Sequence, residues 1–275
     1  MRTKFIPFFL FMVSIVFADP IQLDSLLHNT WRKHSQSGEE GIIREILKRM
    51  QIEKGFFVEF GATDGIFFSN TRFLAEKGWA GAFIEADKQH ISKLYDNCKQ
   101  FKNLQCINEF VTSNPLDSRG KTVDQIAEEH FPNADIDVLS IDIDGTDYLI
   151  LESLKRKPKI ICIETSGYWH PKLQTRIPDF VAKKNLGQPL PVIISIAKQQ
   201  GYQPVCFLCV NLILVRQDYY HLFDKIKNDP ETLWMESWNY LGKHQPGDQR
   251  FIYNARHEPL VQQYDPFPTP RLGCH

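Results

Sequence analysis

The sequence has almost no net charge, because its 275 residues contain 32 Lys and Arg against 33 Asp and Glu. A protein that attracts nucleic acid or anionic membranes through a global basic field needs an excess of positive charge, which this chain lacks. We therefore expect no nucleic-acid partner. The hydrophobic fraction of 43% is ordinary for a globular protein, and the length suffices for one sizeable α/β domain or two small ones.

Long apolar runs are also missing, apart from one at the start of the chain. Residues 5–18 are almost entirely apolar and follow the basic residues Arg2 and Lys4. Val16 and Ala18 stand at the −3 and −1 positions of the expected cleavage site before Asp19. This layout is typical of a secretory signal peptide, and the run is shorter than the roughly 20 residues that span a bilayer. We expect a lumenal or secreted protein with no membrane span after cleavage. An uncleaved signal anchor is the alternative.

Cysteine is scarce, with six residues, and no Asn-x-Ser/Thr acceptor for an N-linked glycan occurs. In an oxidising lumen some of the cysteines are expected to form disulfides. Six cysteines allow 15 connectivities, and the sequence does not choose among them. Cys98 and Cys106 are one candidate pair, across a helix-to-strand turn. Cys206 and Cys209 form a CxxC motif within a strand-like run, where residues three apart point to opposite faces, so the motif does not indicate a redox site.

Strand-like and helix-like segments alternate from residue 55 to about residue 200. This alternation predicts a Rossmann-like α/β fold, with a mostly parallel sheet and helices on both faces. Two final strand-like runs with a short link predict an antiparallel hairpin at one edge. The predicted organisation is a signal peptide over 1–18, a helical extension over 19–54, the sheet domain over 55–216, and an aromatic-rich extension over 217–275 that packs on the domain.

Apolar spacing locates the individual elements. Predicted strands cover 56–60, 81–85, 104–111, 138–142, 159–164, 202–206 and 211–215. Predicted helices cover 39–50, 70–77, 88–99, 122–130, 147–154 and 192–200. Residues 165–190 contain three prolines and are predicted to be irregular.

Carboxylates stand where the predicted strands end. Glu85 ends the second strand, Asp142 and Asp144 follow the fourth, and Glu164 ends the fifth. Ligands of an open α/β sheet bind at the carboxyl ends of its strands, so these side chains are predicted to gather at one rim. A Gly-rich turn that contains Asp64 follows the first strand.

That turn favours one class of ligand. Gly61 and Gly65 do not match the Gly-x-Gly-x-x-Gly of a dinucleotide site, and Asp64 would repel a phosphate. Glu85 can accept hydrogen bonds from both hydroxyls of a ribose. A ligand with a ribose and a positive centre but no phosphate fits this set, and S-adenosylmethionine is such a ligand. Taken singly, the glycines could form an ordinary strand-to-helix turn, and Asp142 and Asp144 could cap a helix.

Several blocks in order resemble the FkbM-type S-adenosylmethionine-dependent methyltransferases. They are VEFGATDG at 58–65, SNT at 69–71, GWxGxxIE at 78–85, LSIDIDGxDY at 139–148 and IxIE at 161–164. The resemblance implies a class I methyltransferase fold and S-adenosylmethionine as the methyl donor. It also implies an acceptor that carries a hydroxyl group, such as a sugar or a glycan.

The resemblance also implies site residues. Asp142 would lie beside the methyl group and could be the catalytic base. The residues expected to bind the cofactor are Glu59, Gly61, Ala62, Asp64, Gly65, Asn70, Glu85 and Asp142.

The mechanism stays open at this point. His170 follows the fifth strand and is the rival general base for a hydroxyl, although a surface loop histidine is the ordinary interpretation. Asp142, Asp144 and Glu164 could instead hold a divalent cation that acidifies the hydroxyl. The aromatic residues Trp234, Trp238, Tyr240 and Tyr253 could stack on a sugar, but a place in the core is the more ordinary role.

Two other functions compete with methyl transfer. The Asp-x-Asp of Asp142 and Asp144 after an apolar strand also suits a metal-dependent glycosyltransferase that uses a nucleotide sugar. The chain could also be a secreted interaction protein that keeps a methyltransferase scaffold without catalysis.

Overall fold

The structure is a computed structural model that describes residues 24–165, 169–182, 184 and 187–244. Its strands are β1 (Phe56–Phe60), β2 (Ala80–Glu85), β3 (Leu104–Asn108), β4 (Ile136–Ile141), β5 (Ile160–Glu164), β6 (Tyr202–Leu208) and β7 (Asn211–Arg216). Its helices are α1 (Glu39–Arg49), α2 (Arg72–Glu76), α3 (Lys88–Cys98), α4 (Val123–His130), α5 (Asp147–Ser153), α6 (Asp179–Ala182), α7 (Leu190–Gln199) and α8 (Pro230–His244). Two short 3-10 helices lie at Leu26–Asn29 and Gln217–Leu222.

The strands form one seven-stranded sheet in the order β3-β2-β1-β4-β5-β7-β6. β1 to β5 pair in parallel, whereas β7 pairs antiparallel with both β5 and β6. The predicted fold class is therefore confirmed, including the antiparallel hairpin at one edge. From β1 the chain moves outward to β2 and β3, then returns to β4 on the other side. The topological switch point thus lies between β1 and β4, where open α/β sheets bind their ligands.

Both faces of the sheet are buried, which explains the almost continuously apolar strands. Phe57 of β1 packs in the cluster that holds Ile42 and Ile43 of α1, while Val58 and Phe60 pack on the opposite face in a second cluster. This alternation follows from the period of two along a strand. The sheet is therefore a rigid platform, and the residues that follow its strands are held in fixed positions at the rim.

The C-terminal extension contributes to the core. Leu233 and Trp234 of α8 are buried, and the ring of Trp234 lies 5.3 Å from that of Trp238. The predicted core role of these two tryptophans fits this placement, while Tyr253 lies outside the described residues. The domain boundaries themselves stay a prediction, and the signal peptide lies outside the described residues. None of the described helices has the length and apolarity needed to cross a membrane.

Two elements differ from their predicted extent for local chemical reasons. The helix predicted over 70–77 is α2, which begins at Arg72, because Thr71 has the non-helical φ of −121° and is the N-cap. The N–H groups of Asn70 and Thr71 donate to Glu59. The third strand ends at Asn108, whose side-chain amide donates to the carbonyl of Glu85 at 2.7 Å. The predicted irregular stretch 165–190 also contains the short helix α6.

The expected disulfide is not formed. The five described cysteines, which exclude Cys274, are free thiols. Cys98, at the end of α3, and Cys106, on β3, are neighbours, as predicted, but both are free thiols. Arg72 Nη1 donates to the Cys98 sulfur at 3.7 Å.

Candidate functional site

A cavity of about 600 Å³ lies along the carboxyl ends of β1, β2, β4 and β5. This volume is in the range of small-molecule sites. Among the described residues that line it there is no lysine and no arginine. Its acidic lining residues are Glu59, Glu85, Asp87, Glu109, Asp142, Asp144 and Glu164. Such a lining disfavours a phosphate and suits a ligand with a positive charge.

The turn after β1 approaches the end of β4 closely. Gly61 has φ of 66°, and a Cβ at this position would overlap the carbonyl oxygen of Asp142. Only glycine combines that backbone conformation with that contact. Gly61 lines the cavity, whereas Ala62 is buried beneath it and Gly65 faces Leu94 and Cys98.

Asp64 shapes the turn and does not line the cavity. Its Oδ1 accepts hydrogen bonds from the N–H groups of Ile66 at 2.9 Å and Phe67 at 2.8 Å. The turn thereby presents two exposed aromatic rings, Phe67 and Phe68, at the cavity mouth, with ring centroids 3.8 Å apart.

Glu85, the last residue of β2, is buried at the cavity wall. Its Oε2 accepts from the N–H of Thr63 at 2.8 Å, and its Oε1 accepts from the N–H of Asp87 at 2.7 Å. These bonds join the loops after β1 and β2 through one carboxylate. Each oxygen retains a further lone pair, so the group can also accept the hydroxyls of a ribose.

Glu59 lines the cavity, but its carboxylate is used in hydrogen bonds to the segment 69–71, just before α2. Its carboxylate accepts from the Ser69 hydroxyl at 2.8 Å, from the N–H of Asn70 at 3.1 Å, and from both the N–H and the hydroxyl of Thr71. Burial raises its pKa, although these hydrogen bonds oppose that shift. The Asn70 side chain is buried and donates to Ser140 at 3.1 Å, so Glu59 and Asn70 fix the start of α2.

Glutamine in place of Glu59 should lower the melting temperature by roughly 4–8 °C. In either orientation the new NH₂ group faces an N–H donor, of Thr71 or of Asn70, so one buried group loses its partner at a cost of about 2 kcal/mol. Thermal denaturation of the purified variant measures the change. Glu129→Gln, at an exposed surface pair with Lys121, is the matched control and should shift the midpoint far less. An equal midpoint for Glu59→Gln and the wild type would contradict this role.

Asp142, Asp144 and Glu164 converge at the cavity floor. Each offers a carboxylate oxygen, and these oxygens lie within 4.8 Å of one another. Asp147 shapes their turn, because its oxygens accept from the N–H groups of Ile143 at 2.8 Å and Gly145 at 2.9 Å.

Burial and the closeness of these carboxyl groups change the pKa values of Asp142 and Glu164. Burial, followed by the negative charges of Asp147 and Asp144, raises the pKa of Asp142 to about 7. Burial and the charge of Asp142 raise the pKa of Glu164 to about 9. Near neutral pH the pair of Asp142 and Glu164 therefore shares a proton, which is the behaviour of closely spaced carboxyl groups.

His170 is not brought to the cavity. Its Nδ1 accepts from the N–H of Lys172 at 3.2 Å, and its ring lies 5.8 Å from that of Trp234. The residues 166–168 that connect it to β5 lie outside the described residues. Its role as general base stays a prediction, and Asp142 has the better position for that role.

Several other lining residues were not predicted as site residues from the sequence. Gln36, Thr63, Phe67, Phe68 and Phe110 are among them. Thr63 and the two neighbouring phenylalanines lie in or beside the Gly-rich turn, and Phe110 lies two residues after β3, so their nearness to strand ends was a usable signal. Gln36 precedes the first strand, and no feature of the sequence around it predicted a place at the cavity.

Comparison with known proteins identifies one matching family. Residues 108–204 match the family model described as the methyltransferase FkbM domain. The resemblance to the FkbM-type methyltransferases is confirmed. The matched segment includes β4 and β5, and with them the three acids of the cavity floor. No curated protein matches the chain.

Solved structures resemble the chain at low sequence identity. A SAM-dependent methyltransferase from Aquifex aeolicus is 14% identical, with 66% of this chain and 89% of that chain covered and a TM-score of 0.40. The N-terminal domain of EvdMO1, solved with SAH bound, is 9% identical over 66% of this chain and 82% of that chain, with a TM-score of 0.43. A candidate RNA methyltransferase from Pyrococcus horikoshii is 12% identical over 71% and 91%, with a TM-score of 0.39. The expected absence of a nucleic-acid partner stays a prediction.

Proposed function

We propose that this chain is an S-adenosylmethionine-dependent O-methyltransferase of the secretory pathway that acts on a hydroxyl of a sugar or glycan-like acceptor. The observation that carries the proposal is the acid-lined cavity at the switch point, with Glu85 on one side and Asp142 on the other. The match to the methyltransferase FkbM domain supports the reaction class. The layout of residues 1–18 supports the compartment.

The residues fit the cofactor. Glu85 keeps free lone pairs for the two ribose hydroxyls. Gly61 lines the cavity, and its lack of a side chain lets the turn after β1 pack closely against Asp142, which sets the shape of this part of the cavity. The surrounding carboxylates suit a sulfonium ion. When bound, this cofactor supplies an electrophilic methyl group.

The chain's own contribution is to hold the acceptor and to remove its proton. A hydroxyl is a poor nucleophile until it loses that proton. Asp142, with its pKa raised to about 7 first by burial and then by nearby charges, is partly ionised at neutral pH and can accept it. Glu164 stays protonated at the same pH and can donate a hydrogen bond to Asp142.

A divalent cation is the second way to activate the hydroxyl. Asp142, Asp144 and Glu164 present the hard oxygen ligands that Mg²⁺ and Mn²⁺ prefer. Such an ion would lower the pKa of a coordinated hydroxyl. The same acids suit the competing glycosyltransferase hypothesis, but the cavity offers no lysine or arginine for a diphosphate among its described residues. The methyltransferase is therefore the favoured function.

The test uses the full chain expressed in a secretory host and purified from the medium. We expect an N-terminus at Asp19, one calorimetric site for S-adenosylhomocysteine, and transfer of tritiated methyl from S-adenosylmethionine to glycoside acceptors. A nucleotide sugar with Mn²⁺ should give no heat. Absence of both heat and a thermal shift with S-adenosylhomocysteine would contradict the proposal, and binding without any transfer would support the non-catalytic alternative.

A further inference from the structure

A loop before the first strand crosses the rim of the cavity. This loop, residues 31–38, is named the strap. Its ends meet, since the N–H of Trp31 donates to the carbonyl of Gly38 at 3.2 Å. Ser35 forms a parallel bridge with Phe68 at the cavity mouth. The strap thus joins the turn that follows β1.

The other end of the strap reaches the acid cluster. Glu39 follows the strap directly, and its Oε1 accepts from the side-chain amide of Asn211 at 2.8 Å. Asn211 stands opposite Glu164 in the pairing of β7 with β5. The strap therefore runs from the mouth of the cavity toward the side where Asp142 and Glu164 lie, which is the side of the proposed base.

Two fully buried glutamates hold the strap in shape. Glu40 Oε2 accepts from the N–H groups of Lys33 at 2.6 Å, His34 at 2.9 Å and Ser35 at 3.3 Å. Glu39 Oε2 accepts from the N–H of Ser37 at 2.8 Å. Both side chains are 0% exposed, and burying carboxylates is costly unless they are well hydrogen-bonded. These hydrogen bonds fix the backbone on both sides of Gln36.

Gln36 differs from its neighbours in the strap. It is partly exposed and lines the cavity, and the hydrogen bonds that hold the strap among the described residues do not use its side-chain amide. An amide offers two N–H donors and a carbonyl acceptor. That combination matches a pair of adjacent hydroxyl groups, each of which donates and accepts.

We propose that Gln36 positions the acceptor by hydrogen bonds to a vicinal diol of a sugar, with the strap as its fixed support. This inference rests on the proposed function and names a residue that sets the acceptor class. The strap holds its shape without this amide, which leaves the amide available to a ligand in the cavity. Because S-adenosylhomocysteine would lie toward Glu85, loss of the Gln36 amide should affect the acceptor and spare the cofactor.

The experiment measures two affinities for each variant. Calorimetry gives the dissociation constant of S-adenosylhomocysteine, and saturation-transfer NMR on the protein loaded with that compound gives the affinity for methyl hexopyranosides. Gln36→Ala should bind the best glycoside about tenfold more weakly or worse, since it loses at least one hydrogen bond. Its affinity for S-adenosylhomocysteine should stay within about twofold, and that value also reports that the variant is folded.

Two further variants sharpen the result. Gln36→Met keeps the length of the side chain but has neither N–H donors nor an amide oxygen, so its glycoside affinity should match that of Gln36→Ala. Lys33→Ala removes an exposed strap side chain that pairs with Glu76 and should match the wild type. In transfer assays the Gln36 variants should change KM for the glycoside more than kcat.

The outcomes separate this inference from the function on which it rests. Unchanged glycoside affinity in Gln36→Ala overturns the role of Gln36 and leaves the methyltransferase assignment standing. Binding of S-adenosylhomocysteine without binding of any methyl hexopyranoside by the wild type overturns the sugar class and this inference together. Failure of the wild type to bind S-adenosylhomocysteine contradicts the proposed function itself.

Discussion

Alanine in place of Glu85 is expected to weaken the binding of S-adenosylhomocysteine by at least about a hundredfold. The variant loses charge-assisted hydrogen bonds to two ribose hydroxyls, each worth about 1.5–3 kcal/mol, and every 1.4 kcal/mol is about tenfold in affinity. It also frees the N–H groups of Thr63 and Asp87, so the two loops that line the site lose their link. Isothermal titration calorimetry on the purified variant measures the loss.

Two comparisons make this result specific. Glu85→Gln keeps one acceptor oxygen and should show an intermediate loss. Asp96→Asn changes an exposed acid on α3 and should bind like the wild type. If a folded Glu85→Ala protein bound S-adenosylhomocysteine with full affinity, the cofactor would not lie at the end of β2, and the site would have to be sought elsewhere.

Asparagine in place of Asp142 is expected to lower kcat by about a hundredfold or more while the affinity for S-adenosylhomocysteine changes little. General-base catalysis contributes typically 10²–10⁴-fold. Only the ionised carboxylate accepts a proton, and burial and neighbouring charges raise the pKa of Asp142 to about 7. The wild-type rate should therefore fall as the pH drops below about 7, and kcat measured from pH 5 to 9 should show that limb.

The Glu164→Gln variant distinguishes general-base catalysis by Asp142 from catalysis by a bound metal ion. Glu164→Gln still donates a hydrogen bond to Asp142 through its amide. If Asp142 acts as a base without a metal ion, the Glu164→Gln enzyme should therefore keep most of its activity. A cation held by Asp142, Asp144 and Glu164 predicts the opposite, namely severe loss in Glu164→Gln and complete loss with a chelator. An Asp142→Asn variant with wild-type kcat would exclude both mechanisms.

The sheet could be predicted because its elements carry their own signals. The apolar run of β1 and the capping box of Thr122 with Gln125 locate their elements within a residue or two. The exact start of α2 could not be predicted, because the residues just before it, Asn70 and Thr71, are held by hydrogen bonds to Glu59 of β1, which is distant from them in the helix pattern. Contacts between distant segments leave no local pattern.

The residues of the candidate site likewise fall into those that the sequence could predict and those that it could not. Glu85, Asp142 and Glu164 follow strands, and the rule for parallel sheets brings such residues to one rim. Asp64 and Asn70 share the same blocks of sequence, but their side chains face their own turn or the core. Spacing shows which residues stand near a rim; it does not show which way each side chain points. Gln36 lies outside the sheet altogether, so its place at the cavity depends on the buried carboxylates of Glu39 and Glu40.

The strap also has a practical consequence for work with this protein. The opening of the cavity is bordered by chain that lies shortly after the expected cleavage point at Asp19. Asp24, however, pairs with Arg49 at the end of α1, whereas Glu39 at the start of that helix follows the strap. The length of α1, about 15 Å, therefore separates the tether point of an amino-terminal fusion from the strap. A handle placed ahead of Asp24 should leave the entrance open, so a protein tagged there suits an activity screen.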